Sequence, residues 1–127
     1  MAKQINLDTQ IINTLEVKIG PKTMKAKYTA ETDRELADKA IDYYAMHDDL
    51  NIDKLLSENT VDEAKQKLHE AQDGIVELGT YLIDKLFDEK DADYIKKEAH
   101  GRVANYDNIT ETLVKAGDAS SFELGNY

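Results

Sequence analysis

The sequence predicts an α+β fold, mostly α, in which an N-terminal β-hairpin packs on a small bundle organised by one long helix. Three observations lead there. Apolar residues alternate strictly from Leu15 to Ile19 and again from Met24 to Tyr28 around Gly20-Pro21, the pattern of two half-buried strands joined by a turn. From Val61, apolar residues recur at spacings of three and four through Ala64, Leu68, Ala71, Ile75, Leu78 and Leu82, the most sustained helical period in the chain. Thr32 with Glu35, and Thr60 with Glu63, place an acid three residues after a threonine just ahead of an apolar run, the reciprocal pairing that starts helices.

Size and composition narrow the class further. A chain of 127 residues suits one domain that buries roughly two thirds of the surface its unfolded form exposes. With 41% hydrophobic and 33% charged residues, it is too apolar for disorder and polar enough that each element has one core face. No apolar run approaches the ~18 residues of a membrane span, and Met1-Ala2-Lys3-Gln4 leads into mixed sequence, not a signal-peptide core. A cytoplasmic location is expected. The absence of cysteine excludes disulfides and thiolate metal sites. A net charge of -10 repels nucleic-acid phosphates and anionic membranes, so the expected partner is a neutral or basic protein, with no nucleic acid and no membrane.

Taken in order, residues 1–13 form an arm. Ile5 and Leu7 alternate and Ile11-Ile12 follow, without a helix start or a turn, which suits a segment lying extended on another surface. A single globular domain is expected over 14–117. Its hairpin, 14–29, keeps both apolar sets on one face if Ile19 lies across from Met24, Val17 from Ala26 and Leu15 from Tyr28, with Glu16 facing Lys27. The connection is then Gly20-Pro21-Lys22-Thr23, with proline at the second position of a type I or II turn. A helix over 33–46 has Ala37, Ala40, Ile41, Tyr44 and Ala45 at core spacing, flanked by Leu36. Asn51 caps a short helix, 52–57, whose Ile52, Leu55 and Leu56 point one way.

The helix predicted over 61–87 is roughly 40 Å long. Gly74 and Gly79 each cost ~1 kcal/mol relative to alanine, yet the apolar phase continues across both, so the helix is expected to run on with a bend. Its stripe is narrow up to Ile75 and widens beyond it. A narrow seam meets one neighbour and a wide face sits in a core, so the front half is expected to project toward a single helix, its own or a partner's. A further helix over 91–100 turns Tyr94, Ile95 and Ala99 inward. Asn108 with Glu111 starts a last one over 109–116 that Gly117 stops, and residues 118–127 form a mobile tail. The candidate partner-binding residues are Ala64, Leu68, Ala71 and Ile75 on the seam, with Phe122 and Leu124 in the tail.

No residue set declares a chemistry. His47, His69 and His100 lie in three segments, none with a second histidine at ligand spacing, and His69 with Asp73 is a pair on a polar helix face. An EF-hand loop begun at Asp88 meets Lys90 and Ala92 where acidic ligands belong and lacks its glycine. Carboxylate pairs can serve hydrolysis, but the chain has no tryptophan, no glycine-rich phosphate loop and no nucleophile elbow. Lys96-Lys97 and Arg102 are too sparse to track a phosphate backbone. The expectation is a protein that is not an enzyme, with no catalytic, cofactor-binding or metal residues and no cofactor.

The layout resembles the small tail assembly chaperones of long-tailed bacteriophages of Gram-positive bacteria. The likeness lies in the arm and hairpin through Thr29, the capped helix from Asp33 to Met46, the longer one from Val61 to Phe87, the acidic balance and the polar tail. That family is non-enzymatic, and the resemblance implies a protein of the host cytoplasm that coats apolar helices of the tape measure protein until tail subunits replace it, often with a longer form made by frameshifting. It also implies contacts with the tape measure or with sister subunits at the seam and hairpin, making a homo-oligomer one expectation. Two alternatives stay open. A virion structural protein, connector or tail component, uses the same surfaces permanently. An acidic DNA-mimic inhibitor uses the net charge, although Lys65, Lys67, Lys85, Lys96 and Lys97 interrupt the acidic runs.

Overall fold

Two strands and five helices succeed one another in the computed structural model, which describes the backbone of residues 11–125 and the side chains of residues 14–116. They are β1 (Ile11–Ile19), β2 (Lys22–Thr29), α1 (Ala30–Asp48), α2 (Ile52–Glu58), α3 (Val61–Leu86), α4 (Glu89–Ala99) and α5 (Val103–Gly125). The fold is mostly helical with an antiparallel hairpin at its start. α3 touches every other helix and β2, and a single cluster of buried residues surrounds its second half.

The hairpin register differs from the predicted one by two residues. Ile19 pairs with Lys22, Val17 with Met24 and Leu15 with Ala26, while Glu16 lies opposite Lys25. The loop is the two residues Gly20-Pro21, and Gly20 takes φ +59, the glycine-first arrangement of a type II′ turn, whose twist matches the strands. Because side chains alternate with period two, an even shift leaves every apolar residue on the predicted face. β2 is the better covered strand: Met24, Ala26 and Tyr28 are buried, and Leu15, Val17 and Ile19 of β1 are half-buried. The Tyr28 hydroxyl donates to the Leu113 carbonyl at 2.7 Å, and burial pushes its pKa up. At the tip, the Tyr94 hydroxyl donates to the Ile19 carbonyl at 3.2 Å. Lys22 lies 3.1 Å from Asp91 and 4.8 Å from the Tyr94 ring centroid, so α4 holds the turn.

α1 begins three residues before the expected position. Thr29, not Thr32, is its N-cap, and Thr32 is the third helical residue, its hydroxyl accepting from the Thr29 amide while Thr29 accepts from Thr32. β2 runs straight into the helix, so that Thr29 is both the last residue of the strand and the cap. Glu35 instead accepts a hydrogen bond from the Tyr81 hydroxyl of α3, which with burial raises the tyrosine's pKa to about 12. The predicted core face of α1 is also turned: Leu36, Ala40 and Tyr43 are buried, whereas Ala37, Ile41, Tyr44 and Ala45 are exposed. In α2, only Leu55 is inside, and Ile52 and Leu56 face out.

α3 starts at its predicted cap, Thr60 accepting from the Glu63 amide, and is continuous through both glycines. Each glycine is a crossing point. A Cβ on Gly74 would strike the Met46 sulfur of α1, and one on Gly79 would lie 2.9 Å from both the Tyr106 ring and the Thr110 hydroxyl of α5. Two helices approach α3 closely where it has no side chain.

α4 opens at Asp88, whose carboxylate accepts from the Asp91 amide, and closes through His100 and Gly101 at φ 53 and 67. α5 then begins at Val103, six residues earlier than predicted. Asn105 donates from its side chain to the Ala99 carbonyl at 3.0 Å, satisfying an end group of α4. Asn108, predicted to start the last helix, lies inside α5, and Gly117 does not stop it: α5 carries the backbone of the predicted tail to Gly125. One helical glycine costs only ~1 kcal/mol. Residues 1–10 of the predicted arm lie outside the described residues, and residues 11–13 belong to β1.

Candidate functional site

The seam proposed for partner binding is closed by the chain itself. Ala64, Ala71 and Ile75 are buried, Ile75 completely, and Leu68 is half-buried. α2 packs along α3 and brings in Leu55, and α1 crosses at Gly74. The neighbours that cover the seam are helices of the same chain. The side chains of Phe122 and Leu124 lie outside the described residues.

The open apolar surface is on α1. Ala37, Ile41, Tyr44 and Ala45 recur at helical spacing on the outer side, and Ile41 is 69% exposed. Tyr44 stands edge-on to the buried Tyr43 with ring centroids 5.2 Å apart, which holds its ring against the helix. On one flank this face falls into a groove of about 380 Å³ between α1 and α3, where the charged Lys39, Asp42 and Glu77 line it together with Met46, Leu78 and Tyr81. The Lys39 ammonium sits 4.6 Å from the Tyr81 ring centroid at its edge. Further along the chain, Ile52 and Leu56 of α2 and Val61 of α3 are each more than half exposed. Asp38, Asp42, Asp48 and Asp53 are exposed between these residues; Asp48 is paired with Lys54.

A polar cluster joins α1 to α5 on the other side of Tyr43. The buried Tyr43 hydroxyl donates to Glu111 at 3.2 Å and lies 3.4 Å from Nδ1 of His47. That nitrogen is 2.9 Å from an Asp107 carboxylate oxygen. Lys115 reaches the other Glu111 oxygen at 2.7 Å. Burial, then the carboxylates of Asp107 and Glu111, push the Tyr43 phenol up. Lys115 and Tyr43 hold the Glu111 carboxyl below its usual range. His47, Asp107 and Glu111 place ligand atoms within 4.8 Å of one another, a spacing that a cation could use. In the structure each of these atoms already has a protein partner, which makes the cluster a clasp between helices. Sequence reasoning missed it. Tyr43 with His47 and Asp107 with Glu111 are each visible as pairs four apart, but the second pair needs a helix begun before Asn108.

Comparisons with family models, with curated proteins and with solved structures find no match to this chain. Among the described residues, no helix is long and apolar enough to cross a membrane.

Proposed function

We propose that this chain is a non-catalytic helix-binding protein, a phage tail assembly chaperone that holds apolar helices of the tape measure protein, or of tail subunits, during assembly. The observation that supports this reading is the outer face of α1: four exposed apolar residues at helical spacing beside a groove of mixed apolar and charged lining, with aspartates along the margin. An amphipathic helix laid on such a face buries its own stripe and sets Lys or Arg against the acids. Burying one isoleucine-sized side chain contributes ~1.5–3 kcal/mol, so Ile41 and its neighbours supply an affinity that is useful and releasable. The contact proposed is Ala37, Ile41, Tyr44 and Ala45, because Ala64, Ala71 and Ile75 are occupied within the monomer.

The test combines genetic context with co-purification. A very long helical reading frame is expected directly downstream, and its product is expected to co-purify with this chain. Ile41→Asp is expected to weaken that association about tenfold or more while leaving the circular dichroism spectrum and unfolding midpoint of the isolated chain unchanged. No association, or association indifferent to Ile41→Asp, refutes the proposal. Retention of the chain in finished virions identifies a tail component instead.

A further inference from the structure

Two pairs of polar side chains meet where α1 crosses α5. Tyr43 and His47 lie one turn apart on α1, and Asp107 and Glu111 one turn apart on α5, so each pair projects from one face of its helix. Nδ1 of His47 is 2.9 Å from an Asp107 carboxylate oxygen. A Glu111 oxygen completes a triangle whose corners all lie within 4.8 Å of one another. Among the described residues, no other three His, Asp or Glu side chains converge in this way. The donors are one imidazole nitrogen and two carboxylate oxygens from two separate helices, which sets this group apart from a run of surface acids. Donors around a zinc ion sit roughly 2.0–2.2 Å from it and therefore about 3.3 Å from each other. The edge from His47 to Asp107 is already close to that length. Glu111, whose side chain is partly exposed, has to bring its carboxylate inward by about 1.5 Å at most.

We propose that His47, Asp107 and Glu111 form a zinc site that pins α1 to α5. The surroundings orient all three ligands. The His47 imidazole stacks on the completely buried Tyr43 ring with centroids 5.5 Å apart. The Tyr43 hydroxyl donates to one Glu111 oxygen at 3.2 Å and Lys115 to the other at 2.7 Å, the kind of outer contact that fixes a ligating carboxylate. The hydrogen bond between His47 and Asp107 is what the ion replaces, and the open side of the half-exposed His47 leaves the fourth position to water. A nitrogen donor and a set of only three protein ligands disfavour calcium and magnesium, which take oxygen in larger number. Lys115 opposes the ion's charge from the solvent side, so the site is weaker than one with four protein ligands.

Zinc alone is the probe. Isothermal titration of the chelator-treated full chain is expected to show one ion bound per copy with a Kd of ~10 µM or tighter, unaffected by excess calcium. At a hundredfold excess over Kd, zinc is expected to raise the unfolding midpoint by about 5–10 °C. His47→Gln and Glu111→Gln are each expected to weaken binding by about tenfold or more and to abolish that rise. Circular dichroism without zinc confirms that both variants remain folded, which separates a lost ligand from a lost fold. His69→Gln, on an exposed face of α3, is expected to change neither reading, and Lys115→Met is expected to tighten binding because a competing charge is gone. No zinc bound at ~100 µM overturns the proposal. So does binding that survives His47→Gln, or zinc displaced by calcium. None of these outcomes depends on the exposed α1 stripe or its partner.

Discussion

The seam of α3 and the outer stripe of α1 have the same apolar spacing and opposite fates. Ala64, Ala71 and Ile75 are sealed by neighbouring helices, whereas Ala37, Ile41, Tyr44 and Ala45 face outward. Periodicity reports that a face needs a cover and does not say which polypeptide provides it. What decides here is connectivity: short links bring α1 and α2 back against α3, and α1 can present only one of its two apolar stripes to the interior.

Substitutions on the two stripes should separate them by several kcal/mol. Ile75→Ala is expected to destabilise the chain by about 2–5 kcal/mol, since a completely buried isoleucine leaves a cavity. Ile41→Ala is expected to change stability by less than about 0.5 kcal/mol. Urea denaturation of both variants measures the gap, and equal losses would mean that α1 is seated the other way round.

The glycines of α3 offer a smaller version of the same contrast. Gly79→Ala is expected to cost about 1–3 kcal/mol because a ring and a hydroxyl from α5 must move. At Gly74 the obstacle is the end of the flexible Met46 side chain, and alanine recovers ~1 kcal/mol of helix propensity. Gly74→Ala is therefore expected to lie within about 1 kcal/mol of the parent in the same assay. Beside Gly79, the buried Thr110 hydroxyl has no hydrogen-bond partner among the described residues. Thr110→Val removes a polar group that burial penalises, and a gain of about 1 kcal/mol in thermal or urea unfolding is expected.

The smallest effect belongs to the clasp that ties the inner side of α1 to α5. The Glu111 pKa is depressed in the folded state, so its contribution is present above the ordinary value of 4.5 and fades as pH falls through the lower, folded value. The stability difference between the parent and Glu111→Gln is expected to shrink on acidification below 4.5. A difference that is constant through that range would show that the carboxylate's charge is not what holds the clasp.

Much of the fold was legible because local rules and packing agree in it. The hairpin, the cap at Thr60 and the length of α3 follow from alternation, a capping pair and a sustained period. Expectation and structure part where two local signals compete. Thr29 and Thr32 are both able to cap, and only the abrupt end of β2 selects the first. In α1, Leu36-Ala37 and Tyr43-Tyr44 offer two overlapping stripes one residue apart, a rotation of ~100° that sequence alone does not resolve. Proline suits the second position of a common four-residue turn, but glycine at positive φ followed by proline closes the tighter two-residue loop found in the structure. The clasp joins residues sixty or more positions apart, beyond the reach of any local pattern.

The fastening of the hairpin tip reinforces the order in which such an element comes undone, from its open end toward its turn. A free hairpin is weakest where nothing holds it, and here the turn is moored to α4 by Tyr94 and Lys22 while the opposite end of β1 has no such tether among the described residues. Unzipping therefore starts at the root and reaches the bend last. In deuterium uptake, the amides of Ile19 and Lys22, paired across the turn, are expected to outlast that of Asn13.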